Sequence, residues 1–286
     1  MSVVIWHEGR LVSPTEPLVL AVDHGLTVGD GVFETCGVEG GEAFALSRHL
    51  DRLARSARGL GIARPDEAKI REGVAAVLAA HPSPGRVRIT VTDGPGPLGS
   101  FREAPDAARQ TVVVLAGPSG APHPARVVRV PWVRNERSAV VGLKTTSYAE
   151  NVVALAAARE QGADEALFAN TVGELCEGTG SNVFVERGGE LLTPPLSSGC
   201  LAGITRELVL EWSAAAGLPV REAGPGELGF EVLEEVLAGE AFLALSGSVR
   251  NLVPVVFLDG QEIEPGPITR AAIEVFDARR RELIDP

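Results

Sequence analysis

Residues 138–160 read "SAVVGLKTTSYAENVVALAAARE", and how this stretch is read decides the fold. The spacing from Ser147 to Glu150 is that of a capping box, so a helix is predicted from about Tyr148 to Arg159, stopped before Gly162. Lys144 then falls in the short turn ahead of that helix, near its positive end, where a cation gains nothing from the helix dipole. It is one of only two lysines in the chain, set against 24 arginines. An arginine would serve an ion pair or an anion contact at least as well. A guanidinium keeps its proton, however, whereas a desolvated lysine can become a neutral amine and bond covalently to a carbonyl carbon. Lys144 is therefore read as an imine-forming lysine, and Lys69, in an amphipathic helix, as a solvated one.

Such a lysine implies a carbonyl cofactor or substrate. Pyridoxal 5'-phosphate would add three demands: a carboxylate for its ring nitrogen, a nest for its phosphate and an apolar wall for its ring. Glu177, in "ELCEGTGSNVF", is a carboxylate inside an apolar strand region, a costly position unless it is paired. An exposed strand carboxylate is the alternative. Gly203 and Thr205, in "LAGITRELVLEW", open a strong amphipathic helix whose free N–H groups favour an anion, although an ordinary N-cap gives the same pattern. "LSGSVRN" offers Ser248 in a second turn of small residues. In "SRHLDRLARSARGLGI" the apolar stripe Leu46, Leu50, Leu53, Ala57 and Leu60 has helical spacing. Arg52, beside His49 at the edge of that stripe, is the arginine able to reach inward, while Arg48, Arg55 and Arg58 form a solvated face.

Outward from these motifs the chain reads as two α+β lobes. Residues 1–116 form a small N-terminal lobe with strands in "SVVIWHEGRLV", "LVLAVDHG", "RVRITVTDG" and "QTVVVLAG", and helices at 46–60 and in "PDEAKIREGVAAVLAAH" with Pro65 near the first turn. Residues 117–125, "GPSGAPHPA", read as the linker. Residues 126–286 form the larger lobe carrying the lysine, with a three-stranded meander in 163–194, two helices, a hairpin through "LDGQ" and a last helix. The motif "GPGPLG", 94–99, satisfies GxGxxG but has prolines at its variable positions and no apolar helix after it, so it reads as a loop and not a dinucleotide site.

A length of 286 residues suits two lobes. The net charge of −12 argues against nucleic-acid and anionic-membrane partners and leaves small anions open. Without a basic, apolar leader or a run long enough to span a bilayer, the expectation is a cytoplasmic protein. Cys36, Cys176 and Cys200 are expected to be buried, reduced thiols, with no metal site.

The motifs "DHGLTVGDGVFET", "HLDRLARSA", "GLKTTSYAENVVAL", "EALFANTVGELCEGTGSNVFV", "LAGITRELV" and "LSGSVRNLVPV" run in order from residue 23 to 255. Jointly they resemble the class IV, or fold-type IV, pyridoxal-phosphate enzymes: branched-chain and D-amino acid aminotransferases and aminodeoxychorismate lyases. The resemblance implies a two-lobed α/β fold like that of D-amino acid aminotransferase, with the cofactor in the interlobe cleft, and a homodimer. It makes Lys144 the imine-forming lysine and Glu177 the partner of the pyridine nitrogen. Arg52, Gly203, Ile204, Thr205 and Ser248 would hold the phosphate, with Leu201 against the ring and Tyr148, Gly180, Ser181 and Asn182 nearby. Branched-chain enzymes carry an arginine soon after the "FE" pair, where this chain has Gly37. The Arg and His trap of the D-amino acid enzymes is missing from "TDGPGPLGSF". These departures and "SGSVRN" look most like the lyases, and Arg88 or Arg250 would meet the carboxylate of a small anionic amino substrate. The expectation is 4-amino-4-deoxychorismate lyase, with a class IV aminotransferase as the alternative and a phosphate-ligand-binding protein without turnover as a third.

Overall fold

In "RVRITVTDG" and "QTVVVLAG" every second residue is apolar, and each run forms a strand with that face inward: Val87, Ile89, Val91, Val112, Val114 and Ala116 are all buried. The structure, a computed structural model, describes residues 3–102 and 104–286. The chain divides into unit 1, Met1–Gly120 with Leu143–Ser147 and Leu283–Pro286, and unit 2, Ala121–Gly142 with Tyr148–Glu282.

Unit 1 contains β1 (Val4–His7), β2 (Arg10–Val12), α1 (His24–Thr27), β3 (Gly31–Glu39), β4 (Glu42–Ala43), α2 (Leu46–Leu60), α3 (Glu67–Ala80), β5 (Arg86–Thr92) and β6 (Thr111–Gly117). Its sheet runs β2-β1-β6-β5-β3-β4, with each neighbouring pair antiparallel. The α2 stripe packs Leu50, Leu53 and Ala57 into one core with Trp6, Ile70, Val74 and Val77. Asp66 caps α3 by accepting from the Lys69 amide, so Pro65 precedes the cap instead of sitting in the first turn. "LVLAVDHG" is not a strand. Strand β1 is already flanked by β2 and β6, so this segment does not pair with it, and Val19, Leu20 and Val22 stay exposed.

Unit 2 contains β7 (Ala125–Arg134), α4 (Ala149–Glu160), β8 (Glu165–Asn170), β9 (Leu175–Gly178), β10 (Asn182–Arg187), β11 (Glu190–Thr193), α5 (Ile204–Ala215), β12 (Val220–Glu222), α6 (Val232–Leu237), β13 (Phe242–Gly247), β14 (Asn251–Leu258), β15 (Gln261–Glu262) and α7 (Pro267–Glu282). The sheet order is β12-β11-β10-β13-β14-β7-β8-β9, with β15 on β14. The expected three-stranded meander is instead two hairpins, β8–β9 and β10–β11, which β13, β14 and β7 separate in the sheet. Strand β7 makes this possible: it lies parallel to both β8 and β14 and begins at Ala125, inside the expected linker.

The lysine segment departs from the expected division, which put residues 126–286 in one lobe. The Phe33 amide donates to Lys144 O at 3.1 Å, the Thr146 amide donates to Gly31 O at 2.8 Å, and Val32 and Thr145 form a β-bridge. These bonds tie Leu143–Ser147 to β3 of unit 1. The capping box fails for the same reason, because the Ser147 hydroxyl donates to Gly29 O at 3.0 Å. Helix α4 begins with Tyr148 as N-cap and no side-chain cap, and Glu150 pairs with Arg134.

Cys36, Cys176 and Cys200 are buried and unbridged, and burial pushes the Cys200 thiol up to about 11. Among the described residues no helix is long and apolar enough to cross a membrane.

Candidate active site

In unit 1 the lysine is fixed by backbone. Besides the bond from Phe33, the Lys144 amide donates to Ser56 Oγ at 3.1 Å, so β3 and α2 together set where its side chain starts. The Lys144 ammonium stands 4.4 Å from the centroid of the Phe33 ring, and the Arg88 guanidinium stands 3.6 Å from the same centroid. Lys69 behaves as a surface residue paired with Glu8 at 2.6 Å.

Arg52 does turn inward, and what it meets there is a carboxylate invisible to helix periodicity. Glu34 of β3 is fully buried and accepts from Arg52 Nε and Nη2, each at 2.7 Å, and from His49 Nδ1 at 2.6 Å. Burial alone would raise the Glu34 carboxyl, but the charge and hydrogen bonds of Arg52, then those of His49, hold it well below the usual range. Burial pushes the His49 imidazole down despite Glu34 beside it. Both folded-state values are therefore depressed, and the folded state binds fewer protons than the unfolded chain. Stability is present above the ordinary values, about 6.5 for His and about 4.3 for Glu, and is lost as pH falls below each. Urea midpoints are expected to drop from pH 7 to pH 4, and His49→Gln to flatten the portion between pH 7 and 5. An unchanged slope in that variant would remove His49 from this account.

Unit 2 gathers most of the other expected residues. Glu177 Oε2 accepts from the Leu201 amide at 2.9 Å, and Oε1 lies 3.2 Å from Arg134 Nε, an ion pair rather than a directed hydrogen bond. The Glu177 carboxylate is thus aimed by the backbone at Leu201 and paired with a cation. Asn182 donates to Leu201 O at 2.8 Å. A Cβ on Gly203 would lie 1.9 Å from Asn182 Oδ1, so only glycine fits there. Helix α5 starts immediately after Gly203 with no side-chain cap, and its first residues, Ile204 and Thr205, are buried. Ser181 Oγ and Ser246 Oγ are buried without a hydrogen-bond partner in the chain. An uncapped helix start beside buried hydroxyls suits a phosphate, and the aimed carboxylate suits a protonated ring nitrogen. Ser248 lies in the turn between β13 and β14.

Other expected residues have different partners. The Tyr148 hydroxyl donates to Thr179 O at 3.1 Å, and Glu165 accepts from Thr179 Oγ1 and the Gly180 amide, each at 2.6 Å. Arg250 forms ion pairs with Asp164 and Glu165, at 3.2 and 3.1 Å, which commits it to the fold and leaves Arg88 as the carboxylate candidate. Phe33, Glu34 and Arg134 were missed in the sequence. Glu34 left a signal, a carboxylate at an otherwise apolar position of "GVFETC". Arg134 left none.

The sequence profile of the amino-transferase class IV family matches residues 31–257. A protein of Methanocaldococcus jannaschii provisionally named a branched-chain-amino-acid aminotransferase is 32% identical, over 95% of this chain and 94% of its own. A bifunctional aminodeoxychorismate lyase / D-amino acid transaminase of Mycobacterium tuberculosis is 28% identical over 96% of this chain and 98% of its own. The crystal structure of the branched-chain aminotransferase of Thermoproteus uzoniensis with norvaline superposes with a TM-score of 0.82 at 31% identity, covering 97% of this chain and 93% of that one.

Proposed function

The chain belongs to the class IV amino-transferase family and is a pyridoxal-phosphate enzyme of the fold-type IV class, and from that premise we propose that it is a 4-amino-4-deoxychorismate lyase, releasing pyruvate and 4-aminobenzoate. The observation that carries the reading is the pair of cations on Phe33. One, Lys144, has a removable proton and engages an amine. The other, Arg88, is permanently charged and suits a substrate carboxylate. The absence of the family's other carboxylate traps and the name of the Mycobacterium tuberculosis relative support the lyase.

Bound pyridoxal phosphate supplies an electron sink for the carbon that bears the amine. Glu177, which accepts from the Leu201 amide, would keep the ring nitrogen protonated. The first N–H groups of α5, with Ser248, would hold the phosphate, while Arg52, whose Nε and Nη2 are on Glu34, keeps the phosphate role only as the resemblance implies it. Lys144 would take the proton from the ring carbon carrying the substrate amine. The C–O bond to the enolpyruvyl group then breaks as the ring aromatises, and Lys144 delivers its proton to the departing enolpyruvate. A homodimer is part of this proposal. Glu177→Gln is expected to lower kcat by about 10²–10³-fold, the range for loss of one preorganised electrostatic partner. A kcat within twofold of wild type would remove Glu177 from the role.

A second reading, aminotransferase, is favoured by the 32% identical relative and the 31% identical branched-chain structure. In that case Lys144 would move the proton taken from the amine-bearing carbon of an amino acid, and the product would be a keto acid. Incubation with aminodeoxychorismate and, separately, with amino acids distinguishes the two. Pyruvate and 4-aminobenzoate without a keto acceptor support the lyase. Conversion of the cofactor to its amine form by an ordinary amino acid, with no lyase activity, overturns it for the transaminase.

A further inference from the structure

Three buried side chains of unit 1 have no part in the chemistry above. His24 opens α1, Asp30 ends the turn before β3, and Asp93 follows β5. They are 1%, 7% and 5% exposed, and one ligating atom from each lies within 4.8 Å of the others.

The glycine-proline loop 94–99, which resembled a phosphate loop, clamps the His24 ring. His24 Nε2 lies 2.8 Å from Pro97 O. A carbonyl only accepts, so Nε2 carries a proton and Nδ1 is the nitrogen left to ligate. A Cβ at Gly96 would come within 2.5–2.9 Å of three ring atoms, so the loop backbone lies flat against the imidazole. Gly94 is at φ +81° and a Cβ there would overlap Arg109 O, which leaves glycine as the residue able to make the turn.

What the ring faces is a set of acceptors. His24 Nδ1 has no hydrogen-bond partner in the chain, and neither does Asp93 Oδ1. Asp30 Oδ2 is 3.8 Å from His24 Nδ1, and Arg102 grips both Asp30 oxygens, which fixes that carboxylate in place. Asp23, the neighbouring carboxylate, is turned away, accepting from the Gly25 amide, Thr92 and Thr111. Asp30 has its donor in Arg102, but His24 Nδ1 and Asp93 Oδ1 are buried with none, which is unfavourable because each loses water and gains no hydrogen bond. One cation among them would answer both and share the Asp30 carboxylate with Arg102. A histidine that donates its remote N–H to a backbone carbonyl is the arrangement seen for metal-ligating imidazoles, and one nitrogen with carboxylate oxygens suits zinc or manganese.

We propose that His24 Nδ1, Asp30 Oδ2 and Asp93 Oδ1 form a divalent-cation site that braces the turn 23–31. First-row metals lie about 2.0–2.2 Å from such ligands, which puts tetrahedral ligand atoms about 3.4 Å apart, so atoms that lie within 4.8 Å of one another must close by up to about 1.4 Å on binding. The site has a structural consequence for the lysine. Gly29 O and Gly31 O, at the end of this turn, accept the Ser147 and Thr146 hydroxyls and the Thr146 amide that hold the Lys144 segment.

The test is calorimetric titration of chelator-treated holoenzyme with Zn²⁺ and with Mn²⁺, alongside Asp93→Asn and His24→Gln. Wild type is expected to bind one equivalent saturably and to gain thermal stability as the metal is added. Each variant is expected to lose at least about tenfold in affinity, since direct ligands matter no less than the outer partners that cost 10–100-fold. Asp93→Asn keeps the shape of the side chain, and cofactor absorbance reports whether each variant has folded. Absence of a saturable equivalent in wild type overturns the proposal without reference to any variant. So does undiminished affinity in a folded Asp93→Asn protein. If Asp93→Asn raises the thermal midpoint while wild type ignores both metals, a proton and not a metal fills the centre.

Discussion

Lys144→Arg is expected to give a folded protein with activity reduced by about 10⁴-fold or more, beyond the upper range for loss of a general base alone because the covalent role disappears too. The substitution is conservative for everything except the chemistry. The backbone of residue 144 is held from both sides, by the Phe33 amide on its carbonyl and by Ser56 on its own amide, and neither bond involves the side chain. A guanidinium keeps the charge and stacks on the Phe33 ring at least as well as an ammonium. It cannot shed its proton to become a nucleophile. The measurement is borohydride treatment of wild type and variant, followed by peptide mass mapping. Wild type is expected to carry the reduced cofactor on the peptide containing Lys144, and the variant to carry none. A variant with even one per cent of wild-type activity, or a label on Lys69, would remove Lys144 from the centre of the mechanism.

Arg52→Ala is expected to cost about 3–5 kcal/mol, the penalty for leaving one member of a buried pair uncompensated. Glu34 has no access to water, and two of its hydrogen bonds come from this one guanidinium. His49 alone must then support the carboxylate, although burial disfavours its charged form. At about 2–4 °C per kcal/mol for a chain of this size class, the thermal midpoint is expected to fall on the order of 10 °C. The double variant Arg52→Met, Glu34→Gln separates stability from cofactor binding. It removes the charge together with its partner, and is expected to recover most of the loss. Weak cofactor retention by that restored double variant supports Arg52 as a phosphate ligand in addition to its pairing with Glu34. A double variant no more stable than Arg52→Ala would show that compensation of Glu34 is not what Arg52 supplies.

Some of this protein was legible in the one-dimensional pattern because the cause was local. Alternation in "RVRITVTDG" and the stripe Leu46, Leu50, Leu53 and Ala57 state which face must leave water, whatever lies opposite. A lysine in an arginine-rich chain states its chemistry because proton release belongs to the side chain itself. "GPGPLG" could be refused a dinucleotide from its own prolines. Where the outcome depended on a partner far along the chain, the pattern failed. Ser147 had the spacing of a cap, but Gly29, 118 residues away, took its hydroxyl. "LVLAVDHG" alternated like a strand, but β1 was already paired on both sides, by β2 and by β6 from the far end of the unit.

By itself, then, the sequence determined the residues that must be buried, the reactive amine and the motif order that marks the family. Only the tertiary structure decided which carboxylate meets Arg52, which cation meets Glu177, that Arg250 is committed to Asp164 and Glu165, and that the lysine segment is sewn onto β3. The physical reason is that propensity and periodicity act over a turn of helix or a pair of strand residues. A buried charge is settled by whichever opposite charge the fold brings within hydrogen-bonding distance.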